Sequence, residues 1–286
     1  MIKLAAVLTL VCAASHAWAD EPAKTEPAQP EPAKPAEPQA GDFNAGGQAR
    51  FPSGPDEDGK YASFNWVAVD LKARYYLRKQ ITLDANVPLA IIHPDTAGAM
   101  GPSPSTFGGF TLTLDARMRA PKMPGMKYAG TIGLTLTGAY MKEGAMLLSD
   151  KDYPLFTGDL KPGFATGLVT IVKMSSLVDF SFIPTFVYQS GTGEARQGLQ
   201  VPLALRLGVG SLAKINVEAG FYTGDDFSMG PSHGGRIATG LSLDLKISHL
   251  VLHAGAGFAS LLVADSGLYP TIKDSFYIEL NAKYAK

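Results

Sequence analysis

Charged side chains recur at every second position along this chain: Asp70-x-Lys72-x-Arg74, Asp115-x-Arg117-x-Arg119, Lys214-x-Asn216-x-Glu218, Asp244-x-Lys246 and Glu279-x-Asn281-x-Lys283. A period of two puts such residues on one side of an extended strand, so each group shows its charges to the same surroundings. Two kinds of chemistry follow. The charges can neutralise one another across neighbouring strands, or an excess of one sign can draw in mobile counter-ions. Hydrolytic catalysis needs something else, a nucleophile set against a base. The five histidines are His16, His93, His233, His249 and His253. Ser232 precedes His233, but adjacency within a glycine-rich loop sets no dyad geometry, and no His-x-Ser-Asn-Gly stretch occurs. No catalytic residue is assigned. The acidic stretches Pro55–Gly59 and Asp225–Asp226 lack the ligand series of a calcium loop and read as solvated loop acids. No metal or cofactor is assigned.

The chain has 286 residues, is 46% hydrophobic and 18% charged, carries a formal net charge of −1 and has a mean hydropathy of +0.06. Near-neutral charge argues against nucleic acid as a partner, which calls for a basic excess. Beyond residue 20 no apolar run approaches the roughly 18 residues a membrane helix requires, so a helical membrane bundle is excluded. A membrane β-barrel is not excluded, because its strands of about 10 residues alternate in polarity and average near zero.

Residues 1–19 read as an export signal: Met1-Ile2-Lys3, an apolar core from Leu4 to Ala14, and Ala17-Trp18-Ala19 before Asp20. A lipidated Cys12 is the alternative, but Thr9-Leu10-Val11 lacks the small residue expected just before such a cysteine. Cleavage after Ala19 removes the single cysteine, and with it any disulfide or thiolate chemistry. Residues 20–41 form a Pro/Ala/Glu/Lys-rich spacer that has nothing to bury. At about 3.1 Å per residue in polyproline II it reaches roughly 60 Å. It reads as a solvated periplasmic tether, with a cell-wall or periplasmic contact as the alternative.

From residue 42 onward, strict alternation recurs in segment after segment. Val67, Val69, Leu71, Ala73, Tyr75 and Leu77 oppose Ala68, Asp70, Lys72, Arg74 and Tyr76; after Arg78–Gln80 the pattern restarts with Ile81, Leu83, Ala85, Val87 and Leu89. Further strands are expected over Phe110–Ala120, Tyr128–Met141, Phe164–Ser175, Val178–Gln189, Leu199–Leu207, Ile215–Tyr222, Ile237–Ile247, Leu250–Leu262 and Phe276–Ala285. Phe164–Ser175 is the least clear, since its threonines alternate with valine and isoleucine. Connections alternate between short turns and long loops. With a weaker first strand at Phe43–Phe51 the count becomes twelve, even, with both ends on the short-turn side. A soluble sandwich also alternates, but its strands usually run about 5–6 residues, shorter than these. Aromatic residues at strand ends, among them Tyr75, Tyr140, Tyr188, Phe221, Phe276 and Tyr284, suit interfacial girdles.

Residues 42–286 thus resemble a Gram-negative outer-membrane β-barrel of the porin-like or transporter type: an all-β, antiparallel up-and-down transmembrane barrel of twelve strands. The hairpin Ala73–Ile91 and the closing strand Phe276–Tyr284 carry the resemblance, although the chain ends Tyr284-Ala285-Lys286 rather than in a terminal Phe or Trp. The resemblance implies outer-membrane lipid and the barrel-assembly machinery as partners, and residence in the outer membrane. If the apolar faces meet lipid, the charges face the lumen. The pore-lining candidates are Lys72, Arg74, Asp84, Asp115, Arg117, Arg119, Asp179, Arg206, Lys214, Glu218, Asp244, Lys246, Glu279 and Lys283, with Asp70, Lys173, Arg236 and His253 on the same face. Bases cluster near the short turns as an incomplete ring with acids interleaved. The expected function is a narrow passive channel for small polar, including anionic, solutes. A non-conducting structural or surface-binding barrel is the alternative, and an outer-membrane hydrolase comes third.

Overall fold

The computed structural model describes residues 38–51, 66–92, 107–122, 128–143, 146, 159–192, 195–209, 212–223, 236–263 and 276–285. The expected signal, the spacer up to residue 37, the acidic loop stretches, His93 and the Ser232-His233 pair lie outside them. The described strands are β1 (Phe43–Arg50), β2 (Trp66–Arg78), β3 (Ile81–Ile92), β4 (Gly109–Arg119), β5 (Thr131–Lys142), β6 (Leu160–Lys173), β7 (Val178–Phe182), β8 (Thr185–Gln189), β9 (Arg196–Val209), β10 (Ala213–Tyr222), β11 (Arg236–Ile247), β12 (Leu250–Val263) and β13 (Phe276–Ala285).

Every pairing is antiparallel and sequential neighbours pair, as short hairpin turns dictate. At Ile247–Leu250 the turn is only two residues long, and Ser248 adopts the positive φ (53°) that primed hairpin turns use. The sheet closes where β13 pairs with β1, from Asn44 opposite Ala285 to Arg50 opposite Glu279. The weakly patterned first segment is therefore a full member of the wall.

The segment expected as one strand over Val178–Gln189 is divided into β7 and β8, which are halves of a single stave. Thr170 opposes Phe182 and Gly167 opposes Thr185, the same register on both sides of the break, and β9 continues across both halves in the same way. The interruption falls at Ile183-Pro184, because proline has no N–H to give to the ladder. The Pro184 carbonyl still accepts from Leu168 N at 2.9 Å. Counting the pair as one stave gives a closed barrel of twelve. Strand ends also differ from expectation. β5 starts at Thr131 rather than Tyr128, whereas β6 and β9 start earlier, at Leu160 and Arg196, beyond the stretch where lipid enforces alternation.

The two faces of the wall are opposite in character. Leu134, Leu136, Leu168 and Leu241 are each more than half exposed, while Gln48, Asp70, Asp115, Asn216, Ser242 and Glu279 are buried. Burying a leucine stabilises a water-soluble fold by about 1.5–3 kcal/mol, so a sandwich would put these side chains inside. Apolar outside and polar inside is the arrangement of a membrane barrel. No helix among the described residues is long and apolar enough to cross a membrane; the strands do the crossing. In β6, the least clear segment, Phe164, Thr166, Leu168 and Thr170 point outward while Ala165, Gly167 and Val169 point inward, so part of the inner wall is apolar. Outward aromatic pairs sit in register near the long-loop end: Phe110–Tyr140 with ring centroids 6.3 Å apart, Phe164–Tyr188 at 5.3 Å and Phe258–Phe276 at 5.7 Å. Phe43, Tyr75 and Tyr284 occupy the short-turn end. These are the two interfacial bands expected of a barrel in a bilayer.

Candidate functional site: the barrel interior

Inward side chains on six adjacent staves join into one hydrogen-bonded belt. Glu218 accepts from the Ser242 hydroxyl at 3.4 Å, and Asn216 donates to Ser242 at 2.9 Å and to Asp244 at 3.3 Å. Asp244 meets Nδ1 of His253, whose Nε2 lies 2.9 Å from Glu279 Oε1. The other oxygen of Glu279 accepts from Gln48 Nε2 at 2.7 Å, and Gln48 Oε1 accepts from Lys72 Nζ at 2.6 Å. Glu279 is fully buried. Three carboxylates and a histidine are accommodated in the belt because every step of it supplies a polar partner. Both ring nitrogens of His253 face carboxylates, so neither addresses a serine.

Glycines make room for these large side chains. Tyr277 Oη occupies the space where a Cβ of Gly240 would stand, and Glu279 occupies that of Gly255. Gly240 and Gly255 thus serve the packing of the interior, as their places on the polar face imply.

All the lining candidates fall on the inward-facing positions of their strands; apart from the belt members Lys72, Glu218, Asp244 and Glu279, they and Lys173 of the same face sort into two groups. Arg74 holds Asp84 through two bonds of 2.7 Å, Arg117 grips Asp115 on its own strand at 2.6 Å, and Arg206 reaches Asp179 across the β7–β9 ladder at 3.2 Å. In the second group Arg119, Lys173, Lys214, Lys246 and Lys283 form no hydrogen bond or ion pair among the described residues. Lys214 stands in register with Asp244, whose oxygens are engaged by His253 and Asn216. The expected basic ring is therefore partly neutralised and partly left as free positive charge near the short-turn end.

Arg50, Gln48, Lys161 and Arg196 are inward polar residues that were not among the candidates. Arg50 pairs with Asp70, and both are almost completely buried. The signal for Gln48 and Arg50 was the alternation Asn44, Gly46, Gln48, Arg50, faint because the opposite face is only alanine and glycine. Lys161 and Arg196 precede the apolar runs that mark β6 and β9.

At the long-loop end, part of the β5–β6 connection enters the barrel. Met146 N lies 3.4 Å from Gln189 Oε1 and its carbonyl accepts from Gln200 Nε2 at 2.8 Å, while its side chain packs on Ala165 and Val187. Nothing in the period-two pattern encodes this contact. Nearby, Glu143 accepts from the Thr192 hydroxyl at 2.5 Å and from Thr192 N at 3.1 Å, with Arg196 3.6 Å away. The Thr192 bonds, hydroxyl first and backbone second, hold the Glu143 carboxyl below the usual glutamate range. A group depressed in this way supports the contact above its ordinary range and loses it as pH falls through the depressed value. The protection of the Thr192 amide, its exchange compared with the intrinsic rate at each pH, should accordingly fall on acidification in the wild type and be low at every pH in Glu143→Ala; a pH-independent protection in the wild type would refute the linkage.

No family model and no curated protein sequence matches this chain. Solved structures do match in shape. An outer-membrane channel from Pseudomonas putida F1 superposes with a TM-score of 0.62 at 14% identity, over 90% of this chain and 100% of the other. The KdgM porin superposes with a TM-score of 0.50 at 8% identity, over 85% of this chain and 99% of the other. At such identities the likeness establishes the fold alone, that of an outer-membrane β-barrel.

Proposed function

We propose that this outer-membrane-type barrel resides in the outer membrane as a narrow passive channel that admits small polar solutes and favours anions. The signal is removed on export, and the spacer extends into the periplasm as a tether. The observation that carries the reading is the sorting of interior charge. Among the described residues the acids near the short-turn end are each held by a hydrogen bond or ion pair, while Arg119, Lys173, Lys214, Lys246 and Lys283 form neither. Their excess sits around the mouth that faces the periplasm when long loops face outward. A ring of unmatched cations lowers the energy of an anion there and raises that of a cation, within a Debye length of about 8–10 Å at ordinary salt. Twelve staves leave a bore wider than the eight-stranded barrel that side chains can fill and narrower than a porin of about 16–18 strands.

Planar-bilayer recording on the refolded barrel tests this. Discrete conductance with a reversal potential favouring chloride over potassium is expected in a KCl gradient. The triple variant Arg119→Glu, Lys214→Glu, Lys246→Glu should lose that preference several-fold and favour potassium. Arg117 is matched by Asp115, so Arg117→Gln should shift the potential less. A folded barrel without discrete conductance would support the non-conducting scaffold instead, and an unchanged reversal potential in the triple variant would remove the basic ring.

A further inference from the structure

One level of the wall, read across β13, β1, β2, β3 and β4, places Lys283, Gly46, Lys72, Asn86 and Thr111 opposite one another in register. Four of these positions carry a polar side chain on the inward face. Gly46 carries none, and it stands between the two lysines. A cavity of about 230 Å³ opens there, bounded also by Asn44, Asn281 and the Arg74–Asp84 pair. At roughly 30 Å³ per liquid water this is room for a small organic molecule of a few carbons or a handful of waters.

The lining specifies what fits. Arg74 and Asp84 satisfy each other through two bonds, so the Lys283 ammonium, which forms no ion pair among the described residues, gives the cavity an uncompensated positive charge. Lys72 is held at the other side of the Gly46 gap by Gln48. Among the described residues the side-chain oxygen of Asn86 is buried without a hydrogen-bond partner. A buried acceptor left so is destabilising, and an occupant bearing a donor removes that cost. Chloride has no donor, and a simple fatty acid has no group for the amide oxygen.

We propose that this cavity is a binding subsite for a small hydroxycarboxylate, its carboxylate between the Lys283 and Lys72 ammonium groups and a hydroxyl donating to Asn86 Oδ1. Asn44, Asn281, Thr111 and Thr113 offer further polar contacts to additional hydroxyls. The proposal deepens the channel reading by placing a recognition step on the route through the barrel.

D-glycerate and propionate, which differ by two hydroxyls, are the probes, titrated calorimetrically into the folded full-length barrel in detergent and tested in bilayers as blockers of chloride current. Glycerate should bind about tenfold or more tightly than propionate, the factor a single well-made hydrogen bond provides. Lys283→Gln should weaken both about tenfold, and Asn86→Ala should abolish the preference while leaving propionate nearly unchanged. Circular dichroism confirms that each variant is folded, and the two variants probe the site independently. Equal affinity for the two acids, or a Lys283→Gln barrel that binds like wild type, overturns the subsite. A conducting barrel without glycerate preference sinks the subsite and leaves the channel; glycerate preference in a folded barrel that never conducts sinks the channel and leaves the subsite.

Discussion

Leu136→Arg will destabilise the barrel in a bilayer by about 2–4 kcal/mol, the usual cost of a cation on the lipid face at mid-membrane depth. Leu136 lies in the middle of β5, more than half exposed, with Leu114 opposite on β4 and Thr166 opposite on β6. The next residue, Thr137, faces inward and shares a 2.8 Å bond with the Thr113 hydroxyl. Thr137→Gln should cost about 1 kcal/mol, the worth of that bond, because an uncharged polar side chain still faces Thr113 on one side, although Ala165 on the other is apolar. Urea unfolding in lipid vesicles, followed by far-ultraviolet circular dichroism, measures both. The contrast between adjacent positions matters more than either value. In a water-soluble sandwich an exposed Leu136 replaced by arginine would change stability by about 0.5 kcal/mol or less, so equal and small effects at both positions would overturn the membrane orientation of the wall.

The same period of two explains which features of the molecule could be read from the residues. Alternation fixes the face of each side chain, so the inward set from Lys72 to Lys283 was identifiable without coordinates. The Arg74–Asp84 pair was nearly so, since the tight turn at Arg78–Gln80 sets their register within one hairpin. The Glu279–Gln48 bond was not, because those residues are 231 positions apart and meet only when the last stave closes on the first. Closure is a property of the whole sheet, which no local pattern carries. The break at Ile183-Pro184 was visible as a proline but not as a break, since β-barrels accept proline where a neighbour can spare the bond. The apolar patch formed by Ala165, Val187 and Met146 runs against the rule of a polar interior, and Met146 of the β5–β6 connection supplies the reason. Gly46 illustrates the limit differently. A glycine in a weak strand reads as poor propensity, and only the register shows that it separates two lysines.

Asp70→Ala is expected to cost about 3–5 kcal/mol, because it removes one partner of an almost completely buried ion pair. Both side chains are nearly inaccessible, 4% exposed for Arg50 and 2% for Asp70, and they join β1 to β2 next to the closing seam. The double variant Arg50→Met, Asp70→Leu should recover most of the loss, since it removes both charges and their desolvation together. Asp84→Ala provides the comparison. Its pair with Arg74 has the better-formed double bond yet is 25–35% exposed, so water and mobile ions replace the lost partner and the cost should stay near 1 kcal/mol or below. Equilibrium unfolding of the wild type and the three variants in the same vesicles makes the comparison. Similar losses at Asp70 and Asp84 would mean that solvent reaches Arg50 as freely as Arg74. A several-fold difference would place the boundary of the wet interior between them, with the Gly46 cavity on the wet side and the Arg50–Asp70 pair on the dry one.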